Sequence, residues 1–237
     1  IKILISVMIF YVLIIIYQLQ PNPFVSGNTV TISSVNGPIH TKTHKQLVDR
    51  ASLEVAFLTK SGRQMITNKY KENVIKQTCE GAILLNNFPR TGINITVQEV
   101  EDFGGLLSCC INSACLALIN SGLPMKQLFA AVTCVINDLG NIILDPCVED
   151  LKNANASMTF IFGSQQKAVI NCVSEGKFNK DTYFEALQKC RVASDVIFKF
   201  YKEISKDTNT STTHLSCLES AIRQGTELQV KAVSKEN

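Results

Sequence analysis

Histidine is scarce in this chain, with only His40, His44 and His214, and charged residues make up just 18% of it. Soluble domains usually carry about 25% charged residues, so an unusual share of the surface is expected to be covered by partners or membrane. Nine cysteines include no Cys-x-x-Cys pair. With so few histidines, that argues against the common zinc frameworks, and neither a metal nor another cofactor is expected. Also missing are a Gly-x-Ser-x-Gly elbow, a phosphate-loop Gly-Lys-Ser/Thr and a His-Glu-x-x-His helix. His40 and His44 are four residues apart but have no acid or third ligand nearby, so they read as exposed. A net charge of only +3 and a pI of about 8.3 exclude a nucleic-acid binder that works by bulk charge alone.

The cysteines that are present sit in apolar surroundings. Cys109, Cys110 and Cys115 fall on an apolar helical run and Cys134 on an apolar strand. Buried free cysteine behaves as a small hydrophobe, and an odd count without pairing motifs indicates a reduced compartment.

The chain is organised around residues 91–141. Ile93, Ile95 and Val97 alternate with Asn94, Thr96 and Gln98, the period of a strand with one buried face. Gly104-Gly105 breaks that strand, and Leu106–Ser121 reads as a helix ended by Gly122, with Pro124 beyond. This helix is apolar nearly all round and is expected to be buried on more than one side. Leu128–Ile136 reads as the next strand, turned by residues 137–141 into a short partner, Ile142–Leu144.

Upstream, Thr29–Val35 reads as a strand closed by Asn36-Gly37-Pro38, and Leu53, Val55 and Phe57 mark another. Residues 65–85 have helical spacing at Ile66, Tyr70, Val74, Thr78, Ala82 and Leu85. Downstream of the Asp145-Pro146 break, Ser157–Phe162 and Ala168–Val173 read as a strand pair. Asn179 is the expected N-cap of a long helix with a stripe at Tyr183, Leu187, Cys190, Ser194, Ile197, Tyr201 and Ile204. The order ββαβα, then ββββα, defines an α+β fold of mixed sheets packed with helices. Three segments are expected: a hydrophobic stretch over 1–23, a globular domain over 24–206 and a polar, mobile tail over 207–237. Ile1–Tyr17 carries one charge, Lys2, and is long enough for a short membrane anchor. Its composition favours translated non-coding sequence fused to a soluble domain, and no membrane association is expected.

The run Gly92-Ile-Asn-Ile-Thr-Val-Gln98, then Gly104-Gly105-Leu-Leu-Ser-Cys-Cys-Ile-Asn-Ser-Ala-Cys-Leu-Ala-Leu-Ile-Asn-Ser-Gly-Leu-Pro-Met125, resembles the ribonuclease PH family. Ser26–Val30, Asn36-Gly37-Pro38 and Ile143-Leu144-Asp145-Pro146 extend the resemblance. Within that family the chain is similar to ring subunits of the eukaryotic RNA exosome. The resemblance implies a ribonuclease PH-like fold and a place beside related subunits in a six-membered ring. It also implies a part in 3′-to-5′ RNA processing and degradation, rRNA maturation included, in nucleus, nucleolus and cytoplasm.

Active members of the family hold inorganic phosphate on a Gly-Gly-Thr/Ser-Arg turn, whose hydroxyl and guanidinium suit an anion. Leu106 and Leu107 stand at those positions here, so the resemblance implies that phosphate binding is lost. Asp145 matches one expected carboxylate, although it also reads as a residue that caps the turn before Pro146. The position of a second is Ser157, with Glu149 and Asp150 nearby on what reads as a solvated turn. Asp145 and Asp150 are therefore vestigial catalytic candidates, and no catalytic residue is expected. Arg63, Lys69, Lys71 and Arg90 are candidates for weak or indirect RNA contact, against the alternative that they line a solvated face. The leading expectation is a non-catalytic ring subunit. The alternatives are a divergent phosphate-dependent exoribonuclease using Asp145 and Asp150, and a membrane-anchored protein of unknown role.

Overall fold

The computed structural model describes residues 29–62, 65–137 and 140–210, with side chains described as far as residue 202. The hydrophobic stretch 1–23, Arg63 and residues 211–237 of the expected tail lie outside the described residues, whereas residues 207–210, where that tail was expected to begin, are helical. Among those described, no helix is long and apolar enough to cross a membrane.

Three strands form the first sheet: β1 (Val30–His40), β2 (Ser52–Leu58) and β3 (Thr91–Glu101). Their order is β1-β3-β2, with β3 antiparallel to β1 and parallel to β2. The alternation along β3 sends Ile93, Ile95 and Val97 into the core, essentially without exposure. Helices α1 (Ile66–Ala82) and α2 (Leu106–Ser121) follow β2 and β3 respectively. The bounds of α2 are those its sequence indicated, and twelve of its sixteen residues are buried. A helix buried this far must satisfy its polar side chains. Ser108 and Ser113 donate to carbonyls one turn back, Ser113 also meets Ser33, and Asn112 bonds the backbone of Ala131.

The second sheet holds β4 (Phe129–Asn137), β5 (Ile142–Leu144), β6 (Ala154–Gly163) and β7 (Val169–Gly176), all antiparallel in the order β5-β4-β6-β7. Strand alternation divides its two faces. Val132, Cys134, Ile136, Met158, Phe160 and Phe162 share a core with Ala186, Cys190 and Ala193 of α4 (Lys180–Thr210). The opposite face carries Thr133, Ser157, Thr159, Val173 and Glu175, which look toward α1 and α2. The described residues from Phe198 to Thr210 belong to a second compact unit, in which the Phe198 and Tyr201 rings meet edge to face.

Three local expectations are corrected. β1 does not close at Asn36-Gly37-Pro38 but runs on to His40. Residues 37 and 38 fall in a bulge between the Asn36–Asn94 and Ile39–Gly92 pairs, on an edge strand where a proline without an N–H is tolerated. The α1 stripe is buried only in its C-terminal half: Val74, Thr78, Ala82 and Leu85 are covered, whereas Ile66 is 89% exposed and Tyr70 51%. Ile66 and Tyr70 line a cleft instead of packing on the sheet. Third, residues 148–152 are not a turn but a short helix, α3 (Val148–Lys152). Asn179 stands at the N-cap of α4 as expected: its carbonyl accepts the Tyr183 N–H and the Thr182 hydroxyl, and its own N–H is taken by the Thr182 hydroxyl.

Candidate functional site

The site grows from the Gly104-Gly105 turn. Both glycines have positive φ, at 122° and 59°, and a Cβ on Gly104 would run into the Pro146 carbonyl. Only glycine fits there, because the chain after β5 packs directly on the turn. Thr29 pins the turn: its hydroxyl donates to the Gly104 carbonyl at 2.6 Å and accepts the Phe103 N–H at 3.1 Å. Asp102 takes the Gly104 N–H. Among the described residues no side chain caps α2, and its first-turn N–H groups point out of the helix end.

Beside that end lies a cleft of about 460 Å³. Leu106 and Leu107 of α2, Ile66 and Tyr70 of α1, Leu151 of α3 and Val173 of β7 make most of its wall apolar. Thr133, Ser157 and Thr159 add hydroxyls from the second sheet, and the Thr133 and Thr159 hydroxyls bond each other at 3.0 Å. Thus Leu106, Leu107 and Ser157, far apart in sequence, meet in one cleft. An apolar wall at the open end of a helix keeps the helix dipole, worth about 0.3–1 kcal/mol to an anion. It offers neither the hydroxyl nor the cationic fork that would hold a phosphate there.

Asp145 is close by. Its carboxylate lies beside Gly105, 3.4 Å from where a Cβ on that residue would stand, and its backbone is left-handed at φ 52°. Burial pushes its pKa up to about 6, and among the described residues no cation offsets that cost. Asp150 is occupied elsewhere. Its carboxylate accepts both the Cys147 N–H and the Cys147 thiol, a capping box at the start of α3. Glu149 is exposed on the same short helix. The two carboxylates once paired as candidates therefore do different work.

The basic candidates separate as well. Lys71 lines the cleft, its ammonium 5.3 Å from the centre of the Phe57 ring. Lys69 is exposed on the same helix. Arg90 precedes β3 at the opposite end of the sheet. Val97, the register partner of Phe57, is seven residues further on, about 23 Å along the strand. His40 and His44 stay out of the cleft, both exposed, with His40 near Gln46, and His214 lies outside the described residues. Among the described residues no group of three or more His, Cys, Asp or Glu side chains could hold a metal ion.

Sequence reasoning missed Ile66, Thr67, Tyr70, Leu151 and Glu175 as cleft residues. Ile66 and Tyr70 continue the helical period of the buried stripe, so periodicity alone assigned them to the core. Nothing in their spacing marks the place where the wall of a cleft replaces the sheet.

The α+β architecture and a glycine turn feeding an uncapped buried helix define a ribonuclease PH-like protein. The chain belongs to the ribonuclease PH 3′ exoribonuclease family, whose domain 1 matches residues 24–124 and whose domain 2 matches residues 127–189. It is 32% identical over 185 residues to the Exosome complex component RRP46 of Saccharomyces cerevisiae, covering 71% of this chain and 83% of that one. With the Exosome complex exonuclease RRP46 homolog of Arabidopsis thaliana it shares 28% over 194 residues, 75% of this chain and 81% of that one. The crystal structure of rice Rrp46 matches with a TM-score of 0.70 at 28% identity, covering 75% of this chain and 84% of the rice chain.

Proposed function

We propose that this chain is a non-catalytic ring subunit of an RNA exosome, packing beside other ribonuclease PH-like subunits to guide RNA toward a nuclease carried elsewhere. The observation that carries this reading is the pair Leu106 and Leu107 at the open end of α2, with Ser157 on the wall of the same cleft. Fold alone does not decide function, and it is this site that lacks what phosphorolysis requires. The ring role draws on the relatives named as exosome components. Apolar side chains left on the surface, such as Val48 and Val192, also support packing against neighbours. Six positions, closed by heterologous contacts that end only when the rotation closes, is the assembly this reading adopts. Nucleus, nucleolus and cytoplasm are its proposed locations, and rRNA maturation is among its proposed tasks. Lys69 and Lys71 are the residues proposed to touch RNA, as salt-sensitive phosphate contacts.

A second reading, a divergent phosphate-dependent exoribonuclease, draws on one observation: the strained, partly buried Asp145 beside the end of α2. Its weakness is the missing cationic fork at 106 and 107. The experiment is incubation of the purified chain with single-stranded RNA, with and without phosphate and Mg²⁺. No nucleoside diphosphate is expected. Diphosphate that disappears on Asp145→Asn would reverse the conclusion in favour of the second reading.

A further inference from the structure

The loop from β1 to β2, residues 41–51, holds three cations, Lys42, Lys45 and Arg50, against one acid, Asp49. The whole chain has a surplus of only +3, so positive charge is concentrated here. Register sets the loop at one end of the first sheet: His40 pairs with Thr91, Ile39 with Gly92, and Ser52 with Gly92 from the other side. Arg90, just before β3, brings a fourth cation to the same end. Hydrogen bonds hold the loop in place. The Arg90 N–H donates to the Leu47 carbonyl and the Ala51 N–H to the Leu85 carbonyl, each at 3.0 Å. The Gln46 amide donates to the Thr41 carbonyl at 2.7 Å. Arg90 itself is left-handed at φ 59°, uncommon for a residue with a Cβ.

Lys45 is neutralised by Glu54, 2.6 Å away. Among the described residues no carboxylate pairs with Lys42, Arg50 or Arg90, and all three are exposed. Apolar side chains stand at the same end: Val48 is 69% exposed, and Ile39 and Leu47 are open to water as well. Single-stranded RNA would be held by such cations together with aromatic rings on which bases stack. No phenylalanine, tyrosine or tryptophan falls within residues 38–54 or 89–92. Unpaired arginines among exposed apolar groups are the makings of a protein interface. We infer that this end of the first sheet docks an acidic segment of a partner protein, in which Asp or Glu side chains are interspersed with apolar ones. Its carboxylates meet the forks of Arg50 and Arg90 and the ammonium of Lys42. Its apolar side chains cover Ile39, Leu47 and Val48. The face lies at the opposite end of the sheet from the cleft, so the inference does not depend on what chemistry the cleft has kept or lost.

Zero-length carbodiimide coupling of the full chain, affinity-purified with whatever it binds, tests this when read by peptide mass spectrometry. The reagent joins amines to carboxylates in contact, so the Lys45–Glu54 pair reports within the chain that coupling has worked on the folded protein. Lys42 is expected to be joined to an aspartate or glutamate of another chain, in a segment that also carries apolar residues. Arg50→Glu and, separately, Val48→Asp should each lower the Lys42 product several-fold and keep the Lys45–Glu54 product. Both positions are exposed, and cooperative thermal unfolding of each variant confirms that the fold persists. A Lys45–Glu54 product without any interchain product at Lys42 overturns the inference. So does an interchain product that neither substitution lowers, or ultraviolet cross-linking of RNA to residues 41–51 in the same sample. Absence of ribonuclease PH-like subunits from that sample would defeat the ring reading separately, whatever Lys42 reports.

Discussion

The Asn112 side chain pairs with the backbone of Ala131 as a neighbouring strand would: its Nδ2 donates to the Ala131 carbonyl at 2.9 Å and its Oδ1 accepts the Ala131 N–H at 2.7 Å. Both residues are buried. One side chain therefore stitches α2, in the domain 1 match, to β4, in the domain 2 match. Asn112→Ala should cost roughly 2–4 kcal/mol, because it strands a buried donor and a buried acceptor together. A lowered urea midpoint with unchanged slope is the expected result. A loss below about 0.5 kcal/mol would mean that the two halves are joined by packing alone.

Asp145 gives a pH dependence whose sign is fixed. Its pKa rises from 3.8 to about 6 on folding because burial penalises the charged form. Below pH 4 both states are protonated and nothing is lost. Between about pH 4 and 6 the unfolded state releases its proton first, so stability falls as pH rises, and the penalty stays above 6. Asp145→Asn should then stabilise the protein at pH 7.5, by at most about 3 kcal/mol, and leave it unchanged near pH 3.5. Asparagine also tolerates the left-handed backbone at this position. Melting temperatures at the two pH values check the prediction, and a destabilised variant at pH 7.5 would show that the carboxylate has a partner in solution.

Restoring a hydroxyl and a guanidinium at the end of α2 should restore anion binding. Leu106→Ser with Leu107→Arg is expected to make the melting temperature rise with millimolar inorganic phosphate, as ligand linkage requires. The unaltered chain should not respond. Equal responses would mean that the helix end alone suffices.

In assemblies containing this chain, Lys71→Ala should weaken single-stranded RNA binding modestly and reduce its salt dependence. Arg90→Ala should do neither, since it lies at the far end of the first sheet. Filter binding across a salt series distinguishes the two, and an equal loss from both would mean that RNA crosses that sheet.

The central block was legible because local and tertiary signals agree there. The alternation in β3, the paired glycines and the left-handed Gly122 after α2 each fix a boundary by backbone geometry. The α3 helix was not legible, since five residues carry no period and its start depends on a thiol–carboxylate pair. Nor was the bulge at Gly37-Pro38, where the glycine–proline pair looks like a turn but lies within an edge strand. At the site, sequence placed Leu106, Leu107 and Ser157 on positions that do converge. It set Asp150 beside Asp145 only because the two are near in sequence. The exposure of Ile66 and Tyr70 depends on which wall faces α1, and a helical period is blind to that.

Membership of a ring of related subunits is checked by native mass spectrometry of the affinity-purified, tagged protein. One assembly is expected, containing this chain once together with other ribonuclease PH-like subunits to a proposed total of six. Recovery as a free species near 26.1 kDa, with no ribonuclease PH-like partner, would contradict it.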